Sequence, residues 1–339
     1  MTMTLEQVAQ ALVADNKGIL AADESGGTIK KRFDSIGLAS TEETRRDYRE
    51  MLFRSIEAMR NYISGTILYD ETLRQSAKDG TRFVDILNEA GSIPGIKVDV
   101  GAKPLAGHPG ETITEGLDGL RARCEEYYQL GARFTKWRAV ISIGKNIPSR
   151  ACIVTNMHAL ARYAAIAQEA KLVPIVEPEV LMDGDHTIDR CTEVTEAVLH
   201  TLYAELALQG VVLEQSLLKP NMVISGMECP QQASVEEVAA RTVQVLKRTV
   251  PAAVPGIVFL SGGQSDELAT AHLSAMNSAF DLPWTLSFSY GRALQAAALK
   301  AWNGKAENVA AGQRAFSHRA RMNSLAAAGR WSAELEKAA

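Results

Sequence analysis

Several charged side chains stand where apolar runs stop. In "VVLEQSLLK" the run ends on Lys219, and Pro220 follows at once. Proline donates no backbone hydrogen bond and biases the residue before it towards an extended conformation, so Lys219 belongs at the end of a strand. Alternate residues of a strand share a face. Three further runs pair charges at that spacing near their C-terminal ends: Lys97 with Asp99, Lys136 with Arg138, and Glu177 with Glu179. Asp23 closes a fifth run, "GILAAD". Any one of these reads most simply as a solvated strand end. Together they would bring four cations and four anions to one place. Such a cluster is costly to desolvate unless it binds or transforms something.

The residue types suggest the chemistry. A lysine among other cations is expected to have its pKa lowered from about 10.4 towards neutrality, which frees an amine to add to a carbonyl. Dehydrating the carbinolamine needs an acid, and abstracting a hydroxyl proton needs a base. Paired carboxylates serve both roles if their environments separate their pKa values. That is Schiff-base chemistry. Three glycine-containing stretches add candidate anion sites. "LSGGQSDE" offers Ser261, Gly262 and Gly263, and "SYGRALQ" offers Ser289, Gly291 and Arg292. "DESGGTIKKR" offers Ser25, Gly26, Gly27, Thr28, Lys31 and Arg32. Glycines admit backbone N–H groups to an anion, and a helix N-terminus favours negative charge. Each glycine pair alone is most simply a turn. Two anion sites flanking one cluster would suit a substrate with a phosphate at each end.

These residues need elements to position them. Eight strand-like runs recur, over 18–23, 64–69, 93–99, 134–140, 173–179, 211–219, 256–262 and 284–290. Helical patterns separate them. "STEETRRDYREMLFRSIEAMR" opens with Ser40 and Glu43 at capping-box spacing. "DHTIDRCTEVTEAVLHTLYAELALQG" closes on Gly210, a candidate C′ glycine. Eight strands alternating with helices predict an α/β fold, a (β/α)8 TIM barrel, over a single domain 1–339. "ENVAAGQRAFSHRARMNSLAAAG" predicts an additional C-terminal helix. The competing architecture is an open doubly wound sheet. It usually carries GxGxxG after its first strand, and "AADESGGT" does not match. In a barrel the strand ends named above converge on one face, and the loops after strands seven and eight often hold phosphate.

The remaining features narrow the function by exclusion. The net charge of −4 gives no reason to expect nucleic acid, and no apolar run is long enough to suggest a membrane partner. The N-terminus does not read as a signal peptide, and the four scattered cysteines read as reduced thiols, which together predict the cytoplasm. "LSGGQ" also occurs in ATP-binding cassettes, but no GxxxxGK[ST] loop precedes it. "DGDHTID" begins like a calcium loop, yet Ile188 stands where that loop needs glycine and Val194 where it needs glutamate. The six histidines lack HxH or HxxxH spacing, so no metal site is expected.

The stretches "KGILAADES", "GIKVD", "PLAG", "GLDGL", "KWR", "VPIVEPE", "DGDH", "LLKPNMV", "FLSGGQS" and "SFSYGRALQAAALKAWNGK" are those of a known family. Over almost its whole length the chain resembles class I fructose-1,6-bisphosphate aldolases. The resemblance implies a TIM barrel assembled as a homotetramer. It also implies a glycolytic and gluconeogenic lyase that reversibly cleaves fructose 1,6-bisphosphate to dihydroxyacetone phosphate and glyceraldehyde 3-phosphate without a metal or other cofactor. By the same resemblance Lys219 is the Schiff-base lysine and Glu177 the general acid/base, while Glu179 helps position the charge network. Asp23 takes the C4 hydroxyl proton, and Lys136 stabilises developing charge and helps keep Lys219 neutral. Ser261, Gly262, Gly263, Ser289, Gly291 and Arg292 are implied to hold the C1 phosphate. Lys97, Arg138, Ser25, Thr28 and Arg32, with Arg45 of "EETRRDY", are implied to line the other end.

Two departures accompany the match. Many members end in a tail with a terminal tyrosine that assists proton exchange, whereas this sequence ends in "RWSAELEKAA". The expectation is slower protonation of the carbanion, or a different group for that step. Val100 stands where relatives often have lysine, which predicts a less basic far end. A transaldolase-like Schiff-base enzyme and a catalytically inactive scaffold are the alternatives.

Overall fold

The computed structural model describes residues 3–337. Parallel strands close into an eight-membered barrel in the order β1-β10-β9-β8-β7-β6-β3-β2. These are β1 (Gly18–Ala22), β2 (Ile63–Leu68), β3 (Ile93–Lys97), β6 (Phe134–Ile141), β7 (Val173–Val180), β8 (Leu217–Leu218), β9 (Gly256–Phe259) and β10 (Thr285–Tyr290). Each of the eight predicted runs therefore supplies one strand. A short antiparallel hairpin, β4 (Ala102–Pro104) with β5 (Thr112–Thr114), follows β3. Strands of this length carry too few residues for a period-two signal.

The sixth run departs most from expectation. Regular strand is confined to β8, and Leu213–Gln215 form a 3-10 turn. The Gln168 side chain donates to the carbonyls of Val212 (2.7 Å) and Gln215 (3.2 Å) and accepts from Val212 N (3.0 Å). A side chain thus satisfies backbone groups that a neighbouring strand would otherwise take. The ladder still continues past β8. Lys219 N donates to Val176 O (2.8 Å), and Leu260 N donates to Pro220 O (3.1 Å). The strand pairing thus holds Lys219 in place even though Pro220 cannot donate.

The helix starts and stops follow ordinary capping chemistry, with one shift. Thr41, not Ser40, caps the helix Glu42–Phe53. Thr44 N donates to Thr41 Oγ1 (3.1 Å), and Thr41 N donates to Thr44 Oγ1 (2.9 Å). Threonine completes the box that Glu43 was expected to close. Helix Ile188–Leu208 ends as predicted, with Gly210 at φ +69. Gly210 N donates to Ala207 O (3.1 Å) and Val211 N to Leu206 O (3.0 Å), which is a Schellman pair. The predicted C-terminal helix forms over Val309–Ala327 and packs on Arg292–Trp302.

The core has two layers. Apolar residues on the outer strand faces, such as Leu20, Val176, Leu218 and Phe259, pack with the surrounding helices. Inside the barrel, Ile19, Ile67, Phe134, Val173, Ile175, Leu217 and Val258 form a separate cluster. Leu12 and Val13, just after helix Leu5–Ala11, join this cluster. The space is tight. A Cβ on Gly95 would lie 2.3 Å from the Phe134 ring, and one on Gly65 would lie 2.5 Å from Leu12. Following each inward face towards the C-terminal end changes its character. Phe134 gives way to Lys136 and Arg138, Ile175 to Glu177 and Glu179, and Leu217 to Lys219. The apolar cluster thus seats the charged layer at the end where barrel active sites form.

Candidate active site

Strand register brings the charged pairs together. Lys97 pairs with Lys136 across β3 and β6, and Arg138 pairs with Glu177 across β6 and β7. Leu218 pairs with Val176, which sets Lys219 level with Glu177. Lys136 Nζ lies 2.8 Å from Asp23 Oδ2 and 3.0 Å from Glu177 Oε2. Lys219 Nζ meets the other oxygen, Glu177 Oε1, at 3.1 Å. One carboxylate therefore bridges two amines, and all three side chains are 5% exposed.

Burial and charge compete at this centre, and charge wins. Burial disfavours the Asp23 carboxylate, yet Lys136, Lys219 and Lys97 together hold its pKa well below the usual carboxylate range. Burial likewise disfavours the Glu177 carboxylate, but Lys136, Lys219 and Arg138 outweigh it and Asp23, so its pKa is lowered. Lys136 shows the converse. Burial opposes its charge, while Asp23, Glu177 and Asp99 raise its pKa and keep it an ammonium. A lysine set among cations in sequence is here also set among anions, and for Lys136 the anions decide.

A cleft of about 400 Å³ opens over this centre. On one side Lys97 Nζ pairs with Asp99 Oδ1 (3.3 Å), and Arg138 Nε pairs with Glu179. Asp99 also accepts from Arg138 N (3.2 Å). Ser25 and Thr28 line the cleft with their hydroxyls 3.2 Å apart. Ser25 is the N-cap of helix Gly26–Asp34 but makes no side-chain capping bond, so first-turn N–H groups have no intrahelical partner. On the other side lie Ser261, Gly262, Ser289, Gly291 and Arg292. Ser289 Oγ is buried without a protein partner. Arg292 folds onto the loop after β9. It donates to Ser261 O (3.3 Å) and Gln264 O, and pairs with Asp266 Oδ1 (3.0 Å).

The structure regroups some predicted residues. Arg32 reaches the Gly291 side, where its NH2 lies 3.4 Å from the position of a Cβ on Gly291. It lines the same cleft as Lys97 and Arg138. Arg45 lies outside the cleft, where its Nε (2.8 Å) and NH2 (2.5 Å) clasp Glu71. Gly263, at φ +72, packs against Met182 and is not part of the cleft wall. Val100 is 56% exposed and lines a cavity other than the cleft. The helix after "LSGGQS" is capped by Ser265, which accepts from Leu268 N (3.1 Å). What faces the cleft there is the loop and Arg292 rather than a free helix end. Glu24 is a cleft-wall residue absent from the expected set, and Asp99 lines the wall as a member of the expected charge cluster. Asp99 was legible as the partner of Lys97. No spacing signal marked Glu24, which follows Asp23 just beyond the end of β1.

Comparison with known proteins identifies the framework. The family model described as "Glycolytic: Fructose-bisphosphate aldolase class-I" matches residues 4–339. The chain belongs to the class-I fructose-bisphosphate aldolase family. It is 61% identical over 333 residues to a "probable fructose-bisphosphate aldolase class 1" of Xanthomonas campestris, covering 97% of this chain and 99% of that one. It is 54% identical over 328 residues to the fructose-bisphosphate aldolase of Drosophila melanogaster, covering 96% and 91%. A Plasmodium falciparum fructose-bisphosphate aldolase, solved with TRAP and a small-molecule inhibitor, superposes with a TM-score of 0.94 at 49% identity, covering 97% of this chain and 95% of that one. Family membership favours the aldolase over the transaldolase-like alternative. All four cysteines are buried and free. Among the described residues no helix is long and apolar enough to cross a membrane, and no group of three or more potential ligands gathers for a metal.

Proposed function

We propose that this cleft performs the aldol cleavage of fructose 1,6-bisphosphate with Lys219 as the covalent amine. The observation that carries the assignment is the Glu177 carboxylate shared between Lys136 (3.0 Å) and Lys219 (3.1 Å). Glu177 takes a proton from the Lys219 ammonium, the freed amine adds to the C2 carbonyl, and Glu177 carries the nitrogen's next proton to the departing hydroxyl, which leaves as water while Glu177 returns to the carboxylate. A neutral carbinolamine nitrogen removes one of the charges that keep Glu177 ionised. Its proton affinity therefore rises at the step that needs an acid. The iminium that results accepts the electron pair of the C3–C4 bond.

Asp23 receives the C4 hydroxyl proton as that bond breaks and glyceraldehyde 3-phosphate leaves. Its depressed pKa suits a base that accepts the proton only once the hydroxyl has become acidic. Lys136 stabilises the charge that develops between Asp23 and Glu177, and Glu179 fixes Arg138. The enamine is then protonated at C3, and hydrolysis of the iminium releases dihydroxyacetone phosphate.

The two rims suit two phosphates. Ser261, Gly262, Ser289, Gly291, Arg292 and Arg32 take the C1 phosphate, and Lys97, Arg138, Ser25 and Thr28 take the C6 end. We further read the whole chain, 1–339, as one barrel domain that works in the cytoplasm as a homotetramer, which sedimentation would check.

The test is borohydride trapping with fructose 1,6-bisphosphate in EDTA, followed by peptide mapping. A triose-phosphate adduct on Lys219 is expected. No adduct, with turnover abolished by EDTA, would overturn the mechanism.

A further inference from the structure

Glu24 follows Asp23 directly and stands in the same cleft wall, where its carboxylate enters a buried network. Its side chain is 4% exposed. Oε1 pairs with Arg32 NH1 and accepts from Gln295 Nε2 (3.0 Å). Oε2 lies 2.7 Å from Arg49 NH2. Gln295 is itself fixed, since Nε2 also donates to Ala21 O (2.7 Å) and Oε1 accepts from Tyr48 OH (3.1 Å). Arg49 is 3% exposed, and its Cζ lies 5.7 Å from the centre of the Tyr48 ring. Its Nε and NH1 have no protein partner. A guanidinium is rarely buried with two of its nitrogens unpartnered. The pairing with Glu24 is the one salt bridge that holds it among the described residues.

We propose that Glu24 and Arg49 are positioning residues that hold the Arg32 guanidinium against Gly291, pre-set for the phosphate on that rim. This rests on the phosphate assignment proposed above. The charge count explains why two residues are needed. Glu24 alone would anchor Arg32 but cancel its charge. Arg49 takes one carboxylate oxygen, so the trio of Glu24, Arg32 and Arg49 keeps one positive charge at the cleft. An unanchored arginine must be ordered when phosphate binds, and that ordering weakens affinity.

The test is a double-mutant cycle read as KM and kcat for fructose 1,6-bisphosphate. Glu24→Gln is expected to raise KM about 3- to 10-fold, the range for ordering one long side chain, with kcat changed less than twofold. In an Arg32→Ala background the same substitution is expected to change nothing further. Arg49→Met should also raise KM, and Arg49→Lys should recover part of the loss. Glu24→Gln leaves Arg49 buried without its counter-charge and could impair folding. Glu24→Gln combined with Arg49→Met leaves neither charge unpaired, and it should still show the raised KM.

An equal KM effect of Glu24→Gln with and without Arg32, or an unchanged KM in the double variant, overturns the proposal. Borohydride labelling of Lys219 in the unmodified chain is scored alongside. If labelling succeeds while KM stays unmoved, only the positioning role fails. If labelling fails, the mechanism itself is at fault.

Discussion

Replacing Lys136 by methionine keeps the shape of the side chain and removes the charge that two buried carboxylates share. Its contacts are 2.8 Å to Asp23 and 3.0 Å to Glu177. At an effective dielectric of about 20, each such contact is worth roughly 6 kcal/mol before hydration is counted. Regained solvation and relaxation reduce this, and breaking a buried pair typically costs about 3–5 kcal/mol. The four-to-four charge balance of the cluster also becomes three cations against four anions. The expected result is a loss of about 3–5 kcal/mol at pH 7.5.

The loss should depend on pH in a definite sense. Without Lys136, the pKa values of Asp23 and Glu177 should rise, because burial then has less opposition. A folded state with raised carboxylate pKa values binds protons more readily than the unfolded chain. The penalty of the variant therefore shrinks as pH falls from 7.5 to 5.5. Urea unfolding of both proteins at the two pH values measures the difference. Turnover should also fall by at least about 100-fold, the scale of a lost acid–base arrangement. A loss below about 1 kcal/mol, or an equal loss at both pH values, would refute the claim that Lys136 neutralises this pair.

Three further perturbations test other parts of the molecule. Arg292→Ala removes a guanidinium from the Ser261 rim and should raise KM about 10- to 100-fold, the scale of a charge-assisted hydrogen bond; an unchanged KM in steady-state assays would exclude it from phosphate binding. Gly95→Ala places a Cβ 2.3 Å from the fully buried Phe134 ring, so denaturant titration should show a loss of about 1–3 kcal/mol, and Phe134→Leu in the same chain should recover part of it. Burial pushes the His272 imidazole down to about 4, below the unfolded value near 6.5, so its contribution to stability is full above that value and is lost as pH falls towards 4. From pH 7.5 to 4.5 that amounts to about 2–3 kcal/mol, and His272→Asn should lose correspondingly less over the same range.

Local signals along the chain specify the strands, most helix ends and the residues able to do chemistry. Periods of two and 3.6, a glycine after Leu208 and a proline after Lys219 are local signals, and the structure follows them. The i, i+2 spacing of Lys136 with Arg138 and Glu177 with Glu179 was enough to predict one charged barrel end. The sequence could not specify which charges touch. Glu177 bridges Lys136 and Lys219 because β6, β7 and β8 sit in a particular register. Closure of the whole barrel sets that register, and no short segment carries it. The same limit explains Arg32 and Arg45. Both lie in helical patterns of basic residues, yet one reaches Gly291 and the other clasps Glu71. Only the packing of their helices against the barrel decides which side chain reaches the cleft. Glu24 depended on that packing too, because its partners Arg49 and Gln295 are 25 and 271 residues away along the chain.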